Sequence, residues 1–213
     1  MTSTCRVLVI CSANVCRSPF AAAVLQSRVT GGSGDVLVES AGLDAVQGAE
    51  PCASMIEEAR RREMDVSALL AHRSRPSSKD LISAADLVLV MDRPGRAHVQ
   101  RQLPSSHSRT FTVRQAALLM TSVGSVCAMS GQGQKGLHTI TDLVTEMDRH
   151  RSIVGPSEKQ SLRVPRRPWR RIDTNTFDVP DAHGGQGDHS PTFAVLLPAI
   201  HTVGDGLARA LQR

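Results

Sequence analysis

Cys11 and Arg17 bracket the short segment CSANVCRSP at 11–19, which follows directly on the apolar run RVLVIC at 6–11. A thiolate is the nucleophilic form of cysteine, and a guanidinium offers a planar fork that matches two oxygens of a phosphate-like group. A loop of this length, curling between a strand end and a helix start, aims its N–H groups at one centre and makes a nest for an oxyanion. The candidate binding groups are therefore the loop positions Ser12, Ala13, Asn14, Val15 and Cys16, together with Ser18 beside Arg17. Helix end, loop amides and the Arg17 charge all favour the thiolate at Cys11, and Arg17 gains strength as charge shifts in a transition state. This chemistry calls for no metal and no cofactor.

A cysteine and an arginine at this spacing arise often by chance, so the elements around them decide the matter. The run at 6–11 reads as a buried parallel strand, and Ser18–Val29 as a helix with Pro19 in its first turn. GGSG at 31–34 is a turn, DVLVES at 35–40 a second strand, and Glu50–Glu63 a second helix. LISAADLVLVMD at 81–92 gives a third strand after a short helical piece, 95–103 a helix, and SRTFTV at 108–113 a fourth strand. This alternation predicts a three-layer α/β fold, a four-stranded parallel sheet with helices on both faces, whose ligands sit beyond the carboxyl ends of the strands.

Beyond about Ser122 the pattern weakens. Residues 122–176 read as an irregular excursion containing one helical stretch at 137–151 and the basic run RVPRRPWRR at 163–171. A closing helix is expected over 193–212, with Pro198 and Gly204 working against its continuity. A chain of 213 residues fits one domain spanning 1–213.

Composition narrows the class further. With 40% hydrophobic and 21% charged residues the chain is neither disordered nor fibrous. Four Phe, one Trp and no Tyr leave little for recognition by aromatic stacking, while a net charge of +5 favours anionic partners. The basic run reads as a solvated loop rather than a nucleic-acid site, because no nucleic-acid-binding fold accompanies it. Five cysteines, odd in number and without zinc spacing, suit a reducing cytoplasm. No signal peptide or membrane span is visible, so a soluble intracellular protein without a membrane partner is expected.

The stretch VLVICSANVCRSPFAAAVL resembles the active-site loop of low-molecular-weight protein-tyrosine phosphatases, a family that also includes arsenate reductases. VESAG at 38–42, VSALLAHRSR at 66–75, ADLVLVMDR at 85–93 and RTFTVRQAALL at 109–119 are similar to family segments in the same order. The resemblance implies that Cys11 attacks phosphorus to give a phosphocysteine, that Arg17 holds the oxygens, that Ser18 assists the thiolate and that Asn14 braces the loop. It implies an acid in FDVPDAHGG at 177–185, with Asp181 as the matching residue and Asp178 as the alternative. Ala13, Ala22 and Ala182 depart from the family pattern, and no aromatic wall stands near the acid.

The resemblance further suggests a reversible disulfide between Cys16 and Cys11, against which stands simple packing of Cys16 behind the loop. Cys5, Cys52 and Cys127 read as structural or incidental, and His72 and Arg75 as residues with a structural ion-pair role. Asp92, Arg93 and Ser40 line the pocket or merely end their strands. The expected reaction is metal-free hydrolysis of a phosphomonoester, on a phosphorylated protein or a small molecule, with inorganic phosphate or another oxyanion as product or inhibitor. Two rivals remain: an arsenate reductase drawing on an external thiol, and a phosphate-binding protein with weak turnover.

Overall fold

β1, Cys5–Cys11, is the strand the apolar run demands, and it lies inside the sheet with a parallel neighbour on each side. A computed structural model describes residues 4–30, 36–129, 139–152, 177–183 and 189–211, without the side chains of 125–129. The turn expected at 31–34 and the basic run at 163–171 lie outside the described residues.

The remaining strands are β2 (Val36–Gly42), β3 (Leu87–Val90) and β4 (Thr110–Thr112). Their order is β2-β1-β3-β4, with every pairing parallel. Between them run α1 (Arg17–Val29), α2 (Ala53–Arg61), α3 (Ser67–Ala71), α4 (Lys79–Ala84) and α5 (Arg93–Gln102). After the sheet come α6 (Val113–Met129), α7 (Ile140–Arg149) and α8 (Ser190–Leu211).

Because successive strand residues face opposite ways, the sheet supports two cores. Val7, Val9, Cys11, Leu87 and Leu89 face a large core shared with residues of α1, α2, α6, α7 and α8. Leu8, Ile10, Val88 and Val90 face a smaller one built with Ile82 of α4 and Val99 of α5. The three layers expected from the alternation are thus present.

Three expectations shift. The third strand is shorter than 81–92, because Ser78 caps α4 by accepting from the Leu81 amide at 3.2 Å and commits the preceding residues to helix. The irregular excursion begins later than Ser122, since α6 continues to Met129. Pro198 does not interrupt α8, which spans it without a break. Gly206 lets α8 lie close on α6: a β-carbon there would stand 2.6 Å from the Met120 sulfur. Among the described residues no helix is long and apolar enough to cross a membrane.

Candidate active site

The carboxyl end of β1 delivers Cys11 into a loop that turns at once into α1. The loop closes on the sulfur: the Asn14 amide donates to Cys11 Sγ at 3.2 Å, and Ser18 Oγ lies 3.0 Å from the same atom. The Asn14 amide points its hydrogen at the sulfur, and the Ser18 hydroxyl stands beside it. Cys11 is 6% exposed, so the sulfur is held within the loop rather than on the surface.

Asn14 is what holds this shape. Its φ of 54° is left-handed, a conformation asparagine tolerates better than most residues. Ala13 is not in that region, so the alanine at this position introduces no backbone strain of that kind. The Asn14 side chain is fully buried and saturated: Nδ2 donates to Ser18 Oγ and to Ser40 Oγ, both at 2.9 Å, and Oδ1 accepts from the Arg75 amide at 2.9 Å. His72 Nε2 donates to the Asn14 carbonyl at 2.7 Å. Ser40 and His72 therefore support the loop from behind.

His72 corrects the expectation of an ion pair, because it bonds a loop carbonyl, whereas Arg75 does make one. Arg75 holds Glu39 at 2.9 Å and donates to the Ser40 carbonyl. The signal for His72 was absent from the sequence, since its partner is a backbone atom distant in the chain.

Gly42, at the end of β2, backs the same loop. A β-carbon there would sit 2.4 Å from the Ser12 carbonyl oxygen and 2.9 Å from the Asn14 nitrogen. Both are backbone atoms that cannot swing aside, so Gly42→Ala is expected to destabilise the fold by about 1–3 kcal/mol, as overpacking does. Urea unfolding measures this, and a midpoint equal to wild type would show that the loop yields freely.

Arg17 is buried at the first turn of α1, and its guanidinium faces the segment 177–183. Nη2 donates to Asp181 Oδ2 at 2.6 Å, Nη1 to the Val179 carbonyl at 3.3 Å, and Asp92 Oδ2 lies 3.6 Å from Nη1. That segment is itself fixed to the sheet, because the Val179 amide donates to the Met91 carbonyl at 2.8 Å. Asp178 is engaged elsewhere, accepting from the Arg93 amide at 2.8 Å and pairing with its guanidinium at 3.0 Å. Of the two candidate acids it is Asp181 that lies on Arg17.

Of the remaining loop residues, Ser12 Oγ donates to Asp44 Oδ2 at 3.2 Å, Ala13 is exposed and Val15 packs partly on the main core. Asp92 caps α5 by accepting from the Gly95 amide, and Arg93 belongs to Asp178, so neither is a bare strand end. Cys16 is buried at 4% exposure. Burial, with Cys52 and Cys11 nearby, pushes its thiol above the ordinary value, so at neutral pH it is not a second nucleophile.

Cys52 is not incidental. Its sulfur lies 3.2 Å from His189 Nε2 and joins a group with Cys16 and His183. No spacing rule links residues from four separate segments, so this convergence was invisible in the sequence. The side chain of Cys127 is outside the described residues.

Comparison with known proteins bears on the same loop. Residues 6–118 match the family model for low molecular weight phosphotyrosine protein phosphatase. The chain belongs to the low-molecular-weight protein-tyrosine phosphatase family. It is 35% identical over 105 residues to the probable low molecular weight protein-tyrosine-phosphatase EpsP of Ralstonia nicotianae, covering 49% of this chain and 68% of that one. It is 36% identical over 110 residues to the protein-arginine-phosphatase of Geobacillus stearothermophilus, covering 52% and 70%.

The fold resembles that of the tyrosine phosphatase Wzb from Escherichia coli K30, solved with sulphate, with a TM-score of 0.56 at 16% identity over 97% of this chain and 98% of that one. Membership in the phosphatase family makes this a cysteine-dependent phosphatase by kinship. Asp181 lies beyond the matched stretch, so its place in the site rests on the contact with Arg17.

Proposed function

We propose that this chain hydrolyses phosphomonoesters on phosphorylated proteins, through a phosphocysteine on Cys11. The observation that carries the reading is the bond between Arg17, six residues after Cys11 in the same loop, and Asp181, across 164 positions of sequence.

In the first step the Cys11 thiolate attacks phosphorus. A P–S bond forms, the P–O bond to the leaving group breaks, and Asp181 as a carboxylic acid protonates the departing oxygen. In the second, Asp181 as a carboxylate takes a proton from water. The water oxygen bonds to phosphorus, the P–S bond breaks, and inorganic phosphate leaves. Ser18, at 3.0 Å from the sulfur, stabilises the thiolate both as it attacks and as it departs. The amides of Ser12, Ala13, Asn14, Val15 and Cys16 receive the phosphoryl oxygens, and Arg17 clasps two of them.

Arg17 and Asp181 form an ion pair at 2.6 Å. In this reading the incoming phosphoryl oxygens displace that carboxylate from Nη2, and the freed carboxyl group turns toward the leaving atom. Binding the substrate and placing the acid are thus one event.

Arg17→Lys keeps the charge and loses the fork, so kcat/KM for an aryl phosphate is expected to fall roughly 10²- to 10³-fold, the scale of losing one oriented transition-state donor. A lysine variant within a few-fold of wild type would remove Arg17 from the mechanism.

The named relatives release either a phenol oxygen or a guanidine nitrogen, and an acid on the leaving side serves both. Phosphotyrosine and phosphoarginine peptides assayed side by side decide between them. The decisive test of the class is p-nitrophenyl phosphate hydrolysis by wild type, with arsenate plus a small thiol in parallel. Phosphate release supports the reading, and turnover of arsenate alone overturns it.

A further inference from the structure

Four side chains that the hydrolytic reading does not use converge beside the Cys11 loop. Cys16 comes from the catalytic loop, Cys52 from the residue before α2, His183 from the Asp181 segment and His189 from the residue before α8. One donor atom from each, two sulfurs and two ring nitrogens, lie within 4.8 Å of one another. Cys52 Sγ is 3.2 Å from His189 Nε2, and the imidazoles of His183 and His189 meet edge-on with centroids 5.0 Å apart. Cys16 and His189 are buried and His183 is exposed, so the group is sealed on one side and reachable from solvent on the other.

Packing accounts for a buried Cys16 but gives no reason for two imidazoles and a second sulfur to gather on it. We propose that Cys16, Cys52, His183 and His189 form a Cys2His2 site for a zinc ion. Zinc takes four such ligands tetrahedrally at about 2.3 Å from sulfur and about 2.0 Å from nitrogen, which places the donors roughly 3–4 Å apart. The spread seen here closes to that by small side-chain rotations, to which the exposed His183 is best suited.

Two thiolates balance the charge of the ion, and a mixed sulfur and imidazole set selects zinc over magnesium or calcium. On binding, each thiol gives its proton to solvent as its S–Zn bond forms, and both imidazoles bind as neutral rings.

The ion would act as a clip. Cys16 immediately precedes Arg17, and the His183 amide donates to Asp181 Oδ1 at 3.0 Å. A metal joining Cys16 to His183 ties the segment bearing the acid to the loop bearing the nucleophile.

The test is a cobalt titration of the full chain, reduced with a non-chelating phosphine under anaerobic conditions, for wild type and for Cys11→Ser. Metal uptake in Cys11→Ser separates this site from the catalytic thiol and from the fate of the hydrolytic reading. The expected result in both is saturation at one cobalt per chain, with thiolate charge-transfer bands and intense tetrahedral d–d bands that one equivalent of zinc abolishes. Cys52→Ser, His189→Gln and His183→Gln are each expected to weaken zinc binding by at least about 100-fold, more than loss of an outer-shell partner costs. His183 is exposed, so its variant serves even if a buried substitution prevents folding. A cobalt spectrum without thiolate bands, or His183→Gln binding zinc as tightly as wild type, overturns the proposal.

Discussion

Cys11→Ser is expected to reduce p-nitrophenyl phosphate hydrolysis by a factor on the order of 10⁴ or more, as loss of the nucleophile does in other covalent catalysts. The loop is built around sulfur: the Asn14 amide and the Ser18 hydroxyl meet Sγ at 3.2 and 3.0 Å. A serine hydroxyl there stays protonated, and among the described residues none bonded to position 11 is a base that could take its proton. The side-chain bonds of Asn14 go to Ser18, Ser40 and the Arg75 amide and not to Cys11, so the variant should fold and still take up phosphate. Rapid-quench assays with labelled substrate give a second readout, a phosphoenzyme in wild type that the variant lacks. Activity above one percent of wild type in Cys11→Ser would move the nucleophile elsewhere.

Asp181→Asn is expected to lower kcat by about 10²- to 10⁴-fold, the ordinary contribution of a positioned acid. Asparagine keeps the shape and can still accept from Arg17, so the loss reports the proton and not the scaffold. The deficit should widen as the leaving group becomes more basic, from p-nitrophenol to phenol, because a poor leaving group depends more on being protonated. Asp178→Asn is the control. Its carboxylate holds the Arg93 amide and guanidinium, so its effect should fall on stability and not on the leaving-group slope. If instead Asp178→Asn steepens that slope, the acid is Asp178.

The parts of this site that were legible in the sequence are those made by neighbours. The strand at the loop's start, the helix at its end and the positions of Cys11, Arg17 and Ser18 follow from local patterning, because period and turn chemistry act over a few residues. Asn14 came by kinship, and its side chain joins Ser18, Ser40 and the Arg75 amide. What stayed hidden depends on distant approach: His72 reaching a loop carbonyl, Gly42 pressed on Ser12, and Cys52 and His189 meeting Cys16. The later half of α6, with Thr121, Ser122, Gly124 and Ser125 in it, contains poor helix formers, and tertiary packing against α8 overrides them.

Phe20 of α1 is fully buried, and the ring covering it, edge-on at 4.4 Å, is Phe193 of α8. Translation makes the two about 170 residues apart, which at the usual pace of synthesis is roughly ten seconds or more. Throughout that interval the nascent chain can fashion the cradle at β1, since Ser40, His72 and Arg75 are already synthesised, yet an oily stripe on its first helix stays bare. Premature termination anywhere before α8 would thus yield fragments that stick to one another or to chaperones, and the ribosome must finish the last helix before the first is safe in water.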